Sequence, residues 1–180
     1  MEATNVIEPS KNYLHSVREL ANKYNILLIF DEIITGFRFD RGGYQVVCGV
    51  TPDLSTFSKA IANGMPISVL VGKKEYMEKC PEIYYSTTFA GESLSLAAAK
   101  ATMEILDEEN VPSVINNNGR FLMDSINKMI SNLGLNEVVS IIGYPSRNVL
   151  SFQNYQDIDG QDIRTYWIQE LAKRKSAPYQ

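Results

Sequence analysis

The chain has 180 residues, of which 44% are hydrophobic and 21% charged, with a formal net charge of −4 at pH 7. That length allows one sizeable core or two small ones, and the composition is that of an ordinary globular protein. It lacks the basic surplus that a nucleic-acid partner requires, no apolar run approaches the roughly 20 residues of a membrane-spanning helix, and the first residues show no signal-peptide pattern. Cys48 and Cys80 stand far apart with no CxxC spacing, which argues against a disulfide framework and for a reducing, cytoplasmic setting.

Residues 1–9, MEATNVIEP, read as the end of a strand and a turn closed by Pro9. Ser10 is expected to cap a helix in which Tyr13, Leu14, Val17, Leu20, Ala21 and Tyr24 recur at helical spacing. His15 falls on the polar side of that helix and takes no role. Five apolar residues, Ile26 to Phe30, then end abruptly in Asp31 and Glu32. So short and branched a run reads as a strand buried on both faces of a parallel sheet, and the carboxyl end of such a strand is where ligands bind in open α/β folds. Thr35 and Gly36 turn the chain, and a loop continues to Gly42 and Gly43.

A second turn, Thr51-Pro52-Asp53, leads to a short strand over 54–57 that delivers Ser58 and Lys59. A lysine after a strand is in general a surface residue. Here the six residues behind it, Ala60 to Met65, are mostly small or apolar, and they are expected to bury the amine and favour its neutral form. Another buried strand is expected over 67–71. The stretch YYSTTFAGESLSLAAAKATMEIL follows, with a helix over 94–106 and Ser93 as its N-cap. A Ser/Thr/Gly-rich loop entering a helix offers free backbone N–H groups to an anion. Beyond residue 109, Asn116 to Asn118 are expected to precede an amphipathic helix carrying Phe121, Leu122, Ile126, Met129 and Ile130. Two strands over 138–142 and 149–152, separated by Gly143-Tyr144-Pro145, and a last helix after Gly160 complete the chain.

A carboxylate and an amine at the ends of two neighbouring strands suit pyridoxal phosphate, which needs a lysine for imine formation and an acid to keep its ring nitrogen protonated. FDEIITGFR and GVTPDLSTFSKAIANGMP, taken together, resemble the fold-type I aminotransferases of class III, especially the glutamate-1-semialdehyde aminomutase branch and its sugar-biosynthesis relatives. The resemblance implies an α/β pyridoxal-phosphate-dependent transferase with a mainly parallel sheet. Residues 1–107 would be part of the cofactor-binding large domain, and residues 108–180 part of the small α+β C-terminal domain. It assigns Lys59 the Schiff base and proton transfer, Asp31 the pyridine nitrogen, Ile33 a face of the ring, and Thr88 the cofactor phosphate of a neighbouring subunit in a homodimer. Ile34 stands where many relatives carry a polar residue, and Gly91-Glu92-Ser93 where Gly-Asn-Pro is commoner.

The same resemblance implies a longer protein, with a glycine-rich phosphate turn and a ring-stacking aromatic upstream of Met1, and an internal fragment whose sheet would show raw edges and uncovered apolar faces. The substrate expected is a small amino or keto compound, turned over by transamination or by migration of its amino group. Arg38 is the one arginine near the site for a substrate carboxylate, with a structural role an equal alternative. A reading from a different class is a non-catalytic α/β module that binds a partner chain through its sheet or the Thr88 loop. No metal ligands are expected.

Overall fold

A computed structural model describes residue 6 and residues 8–174. Apart from Val6, which is buried, the strand end expected over residues 1–7 lies outside the described residues. The chain forms two compact units, Met1–Asn117 and Asn118–Gln180.

The first unit begins with α1 (Tyr13–Tyr24), which stops at Asn25 in a left-handed conformation, φ 53°, a C-cap that asparagine tolerates. The expected Ser10 cap is not formed by its side chain; Asn12 holds the N-cap position, and Ser10 contributes only its carbonyl, to the Tyr13 N–H. Three strands follow: β1 (Ile29–Asp31), β2 (Leu54–Phe57) and β3 (Val69–Gly72), in the order β1-β2-β3. β2 has the bounds expected from the sequence. β1 pairs with β2 in parallel, across a connection that contains α2 (Tyr44–Cys48).

The mainly parallel sheet expected from the resemblance needs correction, because β3 pairs with β2 antiparallel. The cause is the link: residues 58–68 are fewer than the dozen or more that a parallel crossover requires, so the strand must double back. A second correction concerns β1. Among the described residues it is an edge strand, and Ile29 is 53% exposed rather than buried on both faces; Ile26 and Leu27 before it are exposed too. The uncovered apolar surface expected of such a sheet is present there and at Leu70 and Val71 of β3.

The core of this unit lies on the far side of β2. Phe37, Phe57, Ile61, Ala62 and Ala99 are its buried members, with Met65, Ile67, Val69, Met103 and Leu106 packed around them. The Phe37 and Phe57 rings sit 5.6 Å apart in a tilted arrangement, which aromatic quadrupoles favour over a face-to-face stack. α3 (Lys74–Met77) follows β3, and α4 (Ser93–Glu108) supplies Ala99, Met103 and Leu106.

α5 (Val111–Asn132) runs across the boundary between the units. It starts earlier than expected. Asn116 to Asn118 lie inside it, because Pro112 suits the first turn and Asn116 finds local partners: its Nδ2 donates to the Pro112 and Arg38 carbonyls at 2.7 and 3.3 Å. In the second unit, β4 (Val139–Tyr144) and β5 (Arg147–Phe152) form an antiparallel hairpin joined by Pro145-Ser146. Asp159 caps α6 (Gly160–Lys173) by accepting the Gln161 N–H at 2.8 Å, and Trp167 of α6 packs on Phe152 with ring centroids 5.5 Å apart. Among the described residues no helix is long and apolar enough to cross a membrane.

Candidate functional site

The parallel β1–β2 pair brings two strand ends to one edge. Asp31 closes β1 opposite Thr56, and Lys59 stands two residues past the end of β2. Chain reach and inter-strand spacing place their Cα atoms within about 12 Å of each other. Asp31 is exposed, and its Oδ1 accepts the Ile33 N–H at 3.0 Å, so an Asx turn fixes which way the carboxylate leaves the strand.

Lys59 opens a short 3-10 turn, Lys59–Ile61, with φ 47°. A residue with a Cβ costs about 1–2 kcal/mol in that left-handed region and persists there only when its surroundings impose it. They do so on both flanks: the Ser58 hydroxyl donates to the Ile67 carbonyl at 2.7 Å, and Ile61 and Ala62 are buried against Ala99 of α4. The expectation that Lys59 itself is buried is overturned, because its side chain is exposed. The small and apolar residues behind it turn inward onto Phe57 and α4, which leaves the lysine on the outside.

Ile33 and Ile34 are half-buried just beyond the Asx turn. Arg38 is half-buried as well, and its carbonyl is tied to Asn116. Thr88 lies in an exposed loop with the aromatic residues Tyr84, 95% exposed, Tyr85 and Phe89. The loop ends at Glu92, which caps α4 where Ser93 was expected to. Its carboxylate accepts the Leu94 and Ser95 N–H groups and the Ser95 hydroxyl, all at 2.7 Å. The Ser95 hydroxyl first, then the two N–H groups, hold Glu92 below the usual carboxylate range. The helix therefore carries its own anion, and two of the N–H groups expected to receive a foreign one, those of Leu94 and Ser95, are already taken.

Two carboxylates matter here that the sequence reading left without a role. Glu32, 1% exposed, accepts the Thr35 hydroxyl and the Tyr44 and Gln45 N–H groups, the last two at 3.0 Å. Asp53, 3% exposed, accepts the Leu28 N–H and Arg18 at 2.8 Å and Lys73 at 2.6 Å. Burial alone would raise its pKa, but the Leu28 N–H, Lys73 and Arg18 together hold it well below the usual range. The signals available in advance were slight: a hydroxyl three residues after Glu32, and a Gly-Gly pair where α2 begins.

Comparison with known proteins is decisive. The family described as Aminotransferase class-III matches residues 3–142. The chain belongs to the class-III aminotransferase family. It is 40% identical, over 92% of its length, to 3-aminobutyryl-CoA aminotransferase of Cloacimonas acidaminovorans, and 35% identical, over 93%, to glutamate-1-semialdehyde 2,1-aminomutase of a Sulfurihydrogenibium species. The chain spans 40% of the length of each of these relatives. A solved (S)-enantioselective ω-transaminase from Thermomicrobium roseum superposes with a TM-score of 0.81 at 22% identity, covering 98% of this chain and 41% of that one, and so shares the fold. This class-III chain is thus homologous to pyridoxal-phosphate-dependent enzymes. Its donor set suits that cofactor, since an exposed amine and an exposed carboxylate leave adjacent strand ends and a threonine hydroxyl is open to solvent.

Proposed function

We propose that this chain carries the lysine-bearing part of a pyridoxal-phosphate-dependent transaminase or aminomutase close to the glutamate-1-semialdehyde aminomutases. In this reading residues 1–107 belong to the cofactor-binding large domain and residues 108–180 to the small C-terminal domain. The enzyme is a cytoplasmic homodimer acting on a small amino or keto substrate. The observation that carries the reading is the parallel β1–β2 pair, which delivers Asp31 and Lys59 to one sheet edge.

Pyridoxal phosphate, when bound, supplies an aldehyde that condenses with amines and a ring that withdraws electrons from the adjoining carbon. The chain's own residues do the rest. Lys59 Nζ would supply the amine that holds the cofactor and, once released, would move a proton between the substrate's amine-bearing carbon and the cofactor's aldehyde carbon. Asp31 holds the proton on the ring nitrogen, in an orientation set by its bond from Ile33. Ile33 would cover one face of the bound ring and keep water from it. The Thr88 hydroxyl donates to the phosphate held by a second subunit; the start of α4 does not, because Glu92 already fills it.

The test is borohydride reduction of the chain in the presence of pyridoxal phosphate, followed by peptide mapping, with Lys59→Ala as control. The expected adduct is on Lys59 and is lost in the variant. No Lys59 adduct in the folded whole protein, of which this chain is read as the lysine-bearing part, refutes the proposal. The exposed apolar sheet edge and the 95% exposed Tyr84 favour a second reading, a non-catalytic assembly fragment. Concentration-dependent self-association without any adduct would select that reading instead.

A further inference from the structure

We infer that Glu32 is a positioning residue for Asp31: its buried carboxylate fixes the one peptide segment that sets the direction of the Asp31 side chain. The inference rests on the reading of Asp31 as the partner of the cofactor ring. In the Asx turn, Asp31 Oδ1 accepts the N–H of Ile33, two residues on. The ring closed by that bond contains the backbone dihedrals of the residue in between. That residue is Glu32, so whatever immobilises Glu32 immobilises the carboxylate of Asp31.

Glu32 is held at every polar group it has. Its N–H donates to the Thr56 carbonyl at 2.9 Å, extending the β1–β2 ladder by one bond, and its own carbonyl accepts the Gly36 N–H at 2.8 Å. Its carboxylate accepts Thr35 Oγ1, Tyr44 N–H and Gln45 N–H, so the side chain caps α2 and closes the loop from 35 to 45 onto the end of β1. Alternation along an extended chain sends Glu32 inward while Asp31 stays exposed. The neighbours are shaped to receive it. A Cβ built on Gly43, which sits at φ 82°, would lie 2.6 Å from the Glu32 carboxylate, so only glycine lets the cap close. A buried acceptor that serves three donors is costly to disturb, and such networks specify one geometry when all their members are satisfied.

The experiment compares the wild-type chain with Glu32→Gln and Thr35→Val. Glutamine keeps the shape of Glu32 but presents an NH2 group to one of the two α2 N–H groups; valine removes one donor and leaves the α2 contacts intact. The first readout needs no cofactor: the chemical shift and exchange rate of the Ile33 amide, which report the bond to Asp31. Glu32→Gln is expected to shift that resonance and speed its exchange about tenfold, with a smaller change of the same sign in Thr35→Val, while the amides of Ala99 and Met103 in α4 stay as in wild type. The second readout is the pH at which the ring nitrogen of captured pyridoxal phosphate loses its proton, followed by its 15N chemical shift and expected to move to lower pH in Glu32→Gln as Asp31 ceases to hold that proton.

Wild-type Ile33 behaviour in a folded Glu32→Gln chain overturns the inference. If Glu32→Gln does not fold, an unchanged Ile33 amide in Thr35→Val overturns it equally. No Lys59 adduct in the folded whole protein refutes the functional reading, whereas the Ile33 amide still decides whether Glu32 orients Asp31.

Discussion

Replacing Asp53 by alanine tests the account of how the first unit is held together. Asp53 joins α1, through Arg18, to the chain just before β1, through the Leu28 N–H, and to the residue after β3, through Lys73. The Arg18 side chain is 17% exposed, so removing its partner strands a guanidinium and an amide with little access to water. Breaking a buried pair from one side costs about 3–5 kcal/mol. Lys73 is half-exposed and returns to solvent, so the pair it makes adds little. A unit of 117 residues has a total stability of about 6–18 kcal/mol and an unfolding entropy near 0.25 kcal/mol/K, so the expected loss lowers its melting midpoint by about 16 °C.

The assay is chemical and thermal denaturation of Asp53→Ala against wild type, with Arg18→Ala and Lys73→Ala alongside. The pH dependence gives a second check. The folded state holds Asp53 well below the ordinary carboxylate range, so its contribution is complete above about pH 4 and is lost as pH falls toward the folded value. The gap between wild type and Asp53→Ala should therefore be flat from about pH 5 to 8, which begins about one unit above the ordinary aspartate value, and narrow in stronger acid. A loss of less than about 1 kcal/mol at neutral pH, or Lys73→Ala as damaging as Arg18→Ala, would refute the reasoning.

Two further predictions address the second unit and the loop. Gly119 of α5 approaches the hairpin turn so closely that a Cβ there would lie 1.9 Å from the Pro145 carbonyl oxygen, so Gly119→Ala should destabilise by about 1–3 kcal/mol despite alanine's better helix propensity; a variant as stable as wild type in denaturant melts would contradict the packing described. Thr88→Val should weaken pyridoxal phosphate binding about 10- to 100-fold, as loss of a hydrogen bond to a charged group does, and only at protein concentrations where the chain is dimeric. Equal affinity in a fluorescence titration would remove Thr88 from the phosphate site.

What could be read from the sequence was whatever local pattern dictates. The bounds of β2, the helix that became α4, the β4–β5 hairpin and the helix after Gly160 all follow from periodicity and turn residues within a few positions. Asp31 and Lys59 stood out because one ends a strand and the other follows two residues after one. The features that escaped depend on partners distant in the chain. Glu32 is explained by Tyr44 and Gln45, and Asp53 by Arg18, 35 residues away. Lys59 misled for the opposite reason: its apolar neighbours are buried, but the direction of the turn decides which side of the backbone the amine takes. Asn116 to Asn118 read as a helix start because asparagine competes with helical bonding, yet Asn116 satisfies itself within the helix.

The two groups assigned to the chemistry leave strands of unequal standing. Among the described residues β2, which leads to Lys59, is bonded on both flanks, whereas β1, which ends in Asp31, is bonded on one. Local opening is cheapest where a strand has a single partner. The amine thus hangs from the middle line of the described sheet and the acid from its margin, and the acid keeps its aim by clamping to the loop beyond it.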